Sequence, residues 1–311
     1  MKGKTLQRNY RESLSGFKDW NQRSHAKDWL LFPENLGAQL SIDETSLSHG
    51  ELYTILTNKA AKGKKGAIVA IIAGTKADTV IEVLQKIPEK LRMKVTEITL
   101  DMAGNMELIA KRCFRSAVRV TDRFHVQKLA TEALQEMRIK YRWEALDAEN
   151  EAIDQARKAE KPFHAEVLSS GDTLKQLLAR SRYALYRRPD AWSPTQKERA
   201  DLLFDKYPKL KQAYNLSLNL SNIFEKTTDK LYGLARLAKW HEAVRQSGFK
   251  SFNTISRSIQ YHYQTILNYF DSRSTNASAE SFNAKIKAFR SQFRGVRSTE
   301  FFLYRLTQLY A

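Results

Sequence analysis

The chain has 311 residues, with 52 Lys and Arg against 34 Asp and Glu, a formal net charge of +18. Apolar residues make up 42% and aromatics 11%, so the excess charge sits on a folded body with a sizeable core and not on a disordered basic tail. A single cysteine, Cys113, excludes a disulfide framework and a cysteine-built zinc site, and the longest apolar run, Ala67–Ala73, is far shorter than the ~20 residues that span a bilayer.

In chain order, MKGKTLQRNYRESL carries no apolar signal region, and residues 1–36, with Trp20 and Trp29, read as one or two short helices before the Pro-Glu-Asn-Leu-Gly break at 33–37. Strand-like text follows. Residues 38–47 alternate Leu40 and Ile42 against Ser41, Asp43 and Thr45, residues 51–58 are rich in β-formers, and residues 64–74 hold the apolar run of a strand buried on both faces. Turn residues at 48–50 and 61–66 make these three a meander. A helix is expected over 76–87, ended by Pro88, then a strand over 95–102, a helix over 104–114 and a strand over 117–124. The order β-β-β-α-β-α-β predicts an α/β fold with a mixed sheet flanked by helices, because the later crossovers require parallel pairing. From about 125 to 270 the pattern turns helical, with a long helix first and others over 172–186, 195–220, 222–246 and 252–270, cut by Pro162, Pro189, Pro194 and Pro208. Helices over 276–290 and 298–310 close the chain.

Three acids stand out. Asp43 lies mid-strand, where Asp is depleted, although an edge position or a solvated face accommodates it equally. Asp101 ends a strand, where it also suits a helix cap. Glu280 belongs to TNASAESFNAKIKAF, whose Phe282, Ile286 and Phe289 form an apolar stripe. Asn276, Glu280, Asn283 and Lys287 form a second, wholly polar stripe, which reads either as a solvated face or as a surface that holds cations and orients phosphates. The predicted order sets the strands of Asp43 and Asp101 side by side with a late helix across them. Neighbouring carboxylates repel unless cations lie between them, and magnesium, as two ions in a phosphoryl-transfer site, is the expected occupant.

SIDETS around Asp43, TLDMAGNM around Asp101 and TNASAESFNAKIKAFR around Glu280 resemble the three acidic motifs of DDE transposases from bacterial insertion sequences, most of all the ISL-three group. Asp122-Arg-Phe-His125 further resembles the D-x-x-H pattern of insertion-bearing transposases, though a histidine satisfied at a helix start is the alternative for His125. The resemblance spans residues 37–311. It implies an RNase H-like core interrupted by a large all-α insertion, with residues 1–36 an N-terminal helical segment, 37–126 the first part of the core, 127–270 the insertion and 271–311 the closing core helices. It implies that Asp43, Asp101 and Glu280 bind two Mg2+ ions, with Mn2+ as substitute, and that His125 lies near the scissile phosphate, supported by Asp122. The activity implied is cleavage at transposon ends and strand transfer into target DNA, by a dimer or larger assembly, in the cytoplasm and associated with the nucleoid. Residues 1–36 are too short for the family's usual DNA-binding part, so a separately encoded DNA-binding subunit or an upstream segment is an expected partner. Another RNase H-like nuclease or resolvase, or a catalytically silent DNA-binding derivative, are the alternatives.

Candidate DNA contacts are Lys62, Lys64 and Lys65 at the hairpin tip, Arg180, Arg182, Arg187 and Arg188 among Tyr183, Tyr186 and Trp192, and Asn283, Lys287, Arg290, Arg294 and Arg297 beside Glu280. Each set has a plainer alternative as a solvated loop, a helix face or buried aromatics. Trp240 is a candidate for stacking on an extruded base, as a tryptophan does in related transposases, against an ordinary role in core packing.

Overall fold

The computed structural model describes residues 8–48, 50–292 and 298–311. The chain divides into two compact units, residues 1–122 with 264–311 and residues 123–263. The first holds a six-stranded sheet of β1 (Trp29–Leu31), β2 (Gln39–Ser48), β3 (Glu51–Asn58), β4 (Ile68–Ala73), β5 (Glu97–Leu100) and β6 (Val118–Thr121), in the order β1-β4-β3-β2-β5-β6. Strands β1 to β4 pair antiparallel, whereas β2–β5 and β5–β6 pair parallel. Connection length explains the switch: a tight turn joins β2 to β3, while helices α1 (Ala77–Gln85) and α2 (Glu89–Arg92) precede β5 and α3 (Gly104–Cys113) precedes β6.

The N-terminal residues depart from the helical expectation. Among those described, short turns of π- and 3-10 helix at Tyr10–Leu14, Phe17–Asp19 and Arg23–His25 lead into β1, which pairs with β4. Three residues are too few to show a period, but β4 is apolar throughout and its open edge would otherwise be exposed. One face of the sheet packs Leu40, Ile42, Val69, Ile72 and Ile98 against Val80 and Leu84 of α1 and Met106 and Ile109 of α3.

In the second unit the described residues form helices and no strand: α4 (Arg123–Lys158), α5 (Leu174–Arg180), α6 (Pro194–Lys206), α7 (Pro208–Lys226), α8 (Lys230–Ser247) and α9 (Lys250–Tyr261). The helix expected over 195–220 is divided by Pro208, which cannot donate to the preceding turn and begins α7 instead. A second break falls at Asp229, whose side chain caps α8 by accepting the Tyr232 N–H at 2.9 Å. Asp172, fully buried, accepts from Arg180 and, at 2.6 Å, from Arg199. Burial works to raise its pKa, yet the hydrogen bonds and charges of Arg199 and Arg180 together hold it below the ordinary 3.8. A depressed folded-state pKa stabilises above the unfolded value and is lost as pH falls through the folded one. Asp172→Asn is therefore expected to cost about 2–3 kcal/mol near neutral pH. In denaturant titrations this gap should narrow as pH falls below the unfolded-state value of about 3.9 and close once pH has passed the lower folded-state value.

Helix α10 (Tyr263–Ser272) leads back into the first unit, which α11 (Ala277–Gln292) and α12 (Thr299–Tyr310) complete. Phe282, Ile286 and Phe289 of α11 and Phe302, Leu303 and Leu306 of α12 cover the other sheet face, against Leu47, Ile55, Ile68 and Ile71. Strand β4 thus feeds both cores, as its unbroken apolar run predicts. A mixed sheet with helices on both faces is the α/β, RNase H-like arrangement.

Candidate active site

Three acids lie on three adjacent parallel strands, Asp101 and Asp122 just past the carboxyl ends of β5 and β6 and Asp43 within β2, two residues beyond its pairing with β5. In the β2–β5 pairing Ser41 stands opposite Thr99, and two residues further along each chain come Asp43 and Asp101. The period of two sends these acids to the face away from Leu40, Ile42, Ile98 and Leu100, which pack into the opposite core. Leu100 pairs with Thr121 of β6, and the next residue, Asp122, donates its N–H to the Leu100 carbonyl at 2.9 Å. Ligands of open α/β sheets bind at these strand ends. Asp43 Oδ1 accepts the Glu44 N–H at 2.8 Å, and Asp101 Oδ1 accepts the Ala103 N–H at 2.9 Å, which fixes both carboxylates locally.

Helix α11 closes the arrangement. Its apolar stripe docks on the sheet and turns the polar stripe toward the acids. Asn283 donates from Nδ2 to Asp43 Oδ2 at 2.7 Å. Glu280, one turn earlier, brings a carboxylate oxygen within 4.8 Å of one from buried Asp122. Among the described residues, Asp43 and Asp101 fall in no cluster of three or more carboxylate, His or Cys ligand atoms within 4.8 Å of one another. Asn276, just before α11, is fully buried, and neither its Oδ1 nor its Nδ2 has a hydrogen-bond partner among the described residues. A buried, unpartnered amide beside a carboxylate pair marks a place built for a polar or charged guest. The solvated-face reading of this stripe does not hold: of its four members only Lys287 is exposed.

A family model described as transposase, of the DDE type and ISL3 group, matches residues 40–306. The chain belongs to the ISL3 family of DDE transposases. No curated protein matches it. The family match includes Asp43, Asp101, Asp122, His125 and Glu280 of the transposase.

The other predicted contacts divide. Lys62, Lys64 and Lys65 are exposed on the β3–β4 turn, with Lys62 in the left-handed region at φ 51°. Arg182 and Arg187 are exposed on the helical unit, with Arg182 lying over the Tyr183 ring. Arg180 and Arg188 are engaged within that unit, Arg180 on Asp172 and Arg188 on Glu225 at 2.7 Å and Asn222 at 2.6 Å. Asn283 contacts Asp43, and Arg290 is half-buried. Arg294 and Arg297 lie outside the described residues. His125 lies in the first turn of α4, half-buried. Trp240 is 3% exposed in the helical unit and its indole N–H donates to the Leu216 carbonyl at 2.8 Å, the arrangement of a core residue. Sequence reading missed a polar group beneath the site, Lys59, Glu97, Thr99 and Ser274. Its one visible signal was Glu97, an acid inside an otherwise uncharged strand.

Among the described residues, no helix of the transposase is long and apolar enough to cross a membrane.

Proposed function

We propose that this transposase cuts DNA at the ends of its element in a metal-dependent reaction and joins the freed 3′-hydroxyl to target DNA, with Asp43, Asp101 and Glu280 as ligands of two Mg2+ ions. The observation that carries this reading is the docking of α11, which brings Glu280 to Asp122 and Asn283 to Asp43 at the strand ends. The donor set is oxygen only among these acids, as magnesium prefers, and the unpartnered Asn276 amide leaves further polar capacity beside them. Bound ions would supply positive charge to the attacking and leaving oxygens.

The chain's own groups do the positioning. Asn283 holds Asp43 in one rotamer, and the Ala103 N–H does the same for Asp101. Asp122 buries a second carboxylate against Glu280, which raises the site's demand for cations. Lys287, next on the polar stripe and exposed, is placed to receive a phosphate from the solvent side. His125 starts α4 three residues after Asp122 and supplies a proton donor or acceptor near the scissile phosphate. Lys62, Lys64, Lys65 and Arg290 on the first unit, and separately Arg182 and Arg187 on the helical unit, are the phosphate contacts, and the active form is a dimer or larger on paired ends.

The test is cleavage of a duplex bearing the element's terminal repeats by the full chain, with Mg2+ or Mn2+ and with chelator. Cutting that needs the ion supports the reading. Cutting unaffected by chelator ends it. In the same assay Asn283→Ala is expected to slow cleavage about ten- to a hundredfold, the equivalent of one hydrogen bond to a charged group, with little change in unfolding midpoint.

A further inference from the structure

Beneath the acids, a buried polar group ties the glutamate helix to the sheet. Lys59 follows β3 in a 3-10 turn (Lys59–Ala61) that Asn58 caps by accepting the Ala60 N–H at 3.0 Å. Its Nζ has three protons and meets three acceptors: Thr99 Oγ1 at 2.8 Å, Glu97 Oε1 at 3.4 Å, and Ser274 Oγ. Ser274 in turn donates to Glu97 Oε1 at 2.5 Å and lies 3.1 Å from Thr99 Oγ1. The side chains of Lys59 and Glu97 are only 14% and 9% exposed. Burial lowers the Lys59 pKa, and the charge and hydrogen bond of Glu97 counter it. A second tie joins the same turn to the helix from the other side of Glu280: Lys285 Nζ donates to the Gly63 carbonyl at 2.8 Å.

The position of this group says what it holds. Thr99 and Glu97 sit on the strand that ends at Asp101, and Ser274 lies on the short segment that enters α11 ahead of Asn276 and Glu280. The apolar contact of α11 with the sheet is non-directional, so it does not by itself specify register as hydrogen bonds do. A directional group at its entry does so.

We propose that Lys59, Glu97 and Ser274 are positioning residues for catalysis, a latch that pins the entry of α11 to β5 and so sets Glu280 relative to Asp101. This rests on the reading of Glu280 as a metal ligand. A buried ion pair contributes little to stability over an apolar replacement, but its geometry fixes register.

The test uses three versions of the full chain. Ser274→Ala removes one hydroxyl and leaves the ion pair intact, Ser274→Thr restores the hydroxyl, and Lys59→Met with Glu97→Gln removes both charges together so that neither is stranded. Misplacement on this scale is expected to lower the single-turnover cleavage rate of Ser274→Ala and of the double variant about ten- to a hundredfold, with DNA affinity changed less than about twofold. Amides in the first turn of α11 should exchange faster with deuterium in both variants, and Ser274→Thr should return rate and exchange toward those of the parent. Wild-type cleavage in either variant, or wild-type exchange in that turn, overturns the proposal. Failure of the functional reading is seen separately, as an inactive parent or an active Glu280→Gln. In that event exchange of α11 and the affinity for Mn2+, measured by calorimetry, decide the latch: unchanged values overturn it, and faster exchange with weaker Mn2+ binding supports it.

Discussion

Glu280→Gln, Asp43→Asn and Asp101→Asn are each expected to lower DNA cleavage by about a thousandfold or more, some 4 kcal/mol of transition-state stabilisation, while the protein stays folded and bound to DNA. Each change keeps the size of the side chain, removes its charge and turns one acceptor oxygen into a donor, so in Asp43→Asn the Asn283 amide must turn to present its oxygen. Asp43→Asn still accepts the Glu44 N–H through its carbonyl oxygen, so the local backbone has no reason to move. What is lost is the negative charge that pairs with a cation. DNA affinity should hold or rise slightly, because one repulsive charge next to a phosphate has gone. Rates from single-turnover cleavage, with binding measured in Ca2+, separate the two effects. A variant that keeps more than about a tenth of the parent rate removes that residue from the ligand set.

Trp240→Ala is expected to destabilise the protein by about 3–5 kcal/mol, the usual cost of emptying a buried aromatic site. The ring is almost wholly buried, and its truncation also removes the indole N–H donated to the Leu216 carbonyl. Trp240→Phe fills most of the space and loses only the additional hydrogen bond to a carbonyl that its own helix still satisfies, so it should cost less, about 1–3 kcal/mol. Denaturant unfolding of the full chain measures both. If Trp240 stacked on an extruded base, Trp240→Ala would keep its stability and lose a step of the DNA reaction instead. The burial predicts the opposite order of effects.

Much of the first unit was legible because its strands obey local rules. The alternation in β2 and the apolar run in β4 announce one-sided and two-sided burial, and the helices between β4 and β6 demand parallel pairing. β1 was not legible, because three residues carry no period and its existence depends on an edge that needs covering. In the helical unit the prolines marked breaks correctly, while the break at Asp229 rested on a cap that competes with continuing helix. The acids of the site were visible as misfits: an Asp inside a strand, an Asp at a strand end, and a polar stripe on a helix that already had its apolar one. Lys59, Glu97 and Ser274 gave almost no signal, since they come from three distant segments and each is ordinary where it stands.

The sequence by itself determined most element types, the two faces of α11 and the choice of candidate acids, because these follow from side-chain period and from chemistry carried within a few residues. Only the tertiary structure decided which polar groups meet. It put Asn283 on Asp43 and Glu280 beside Asp122, turned Trp240 inward, and engaged Arg180 and Arg188 with Asp172 and Glu225. The physical reason is that a hydrogen bond needs its partners within about 3 Å and well aligned. Spacing along a chain does not encode that condition for partners such as Asn283 and Asp43, 240 positions apart.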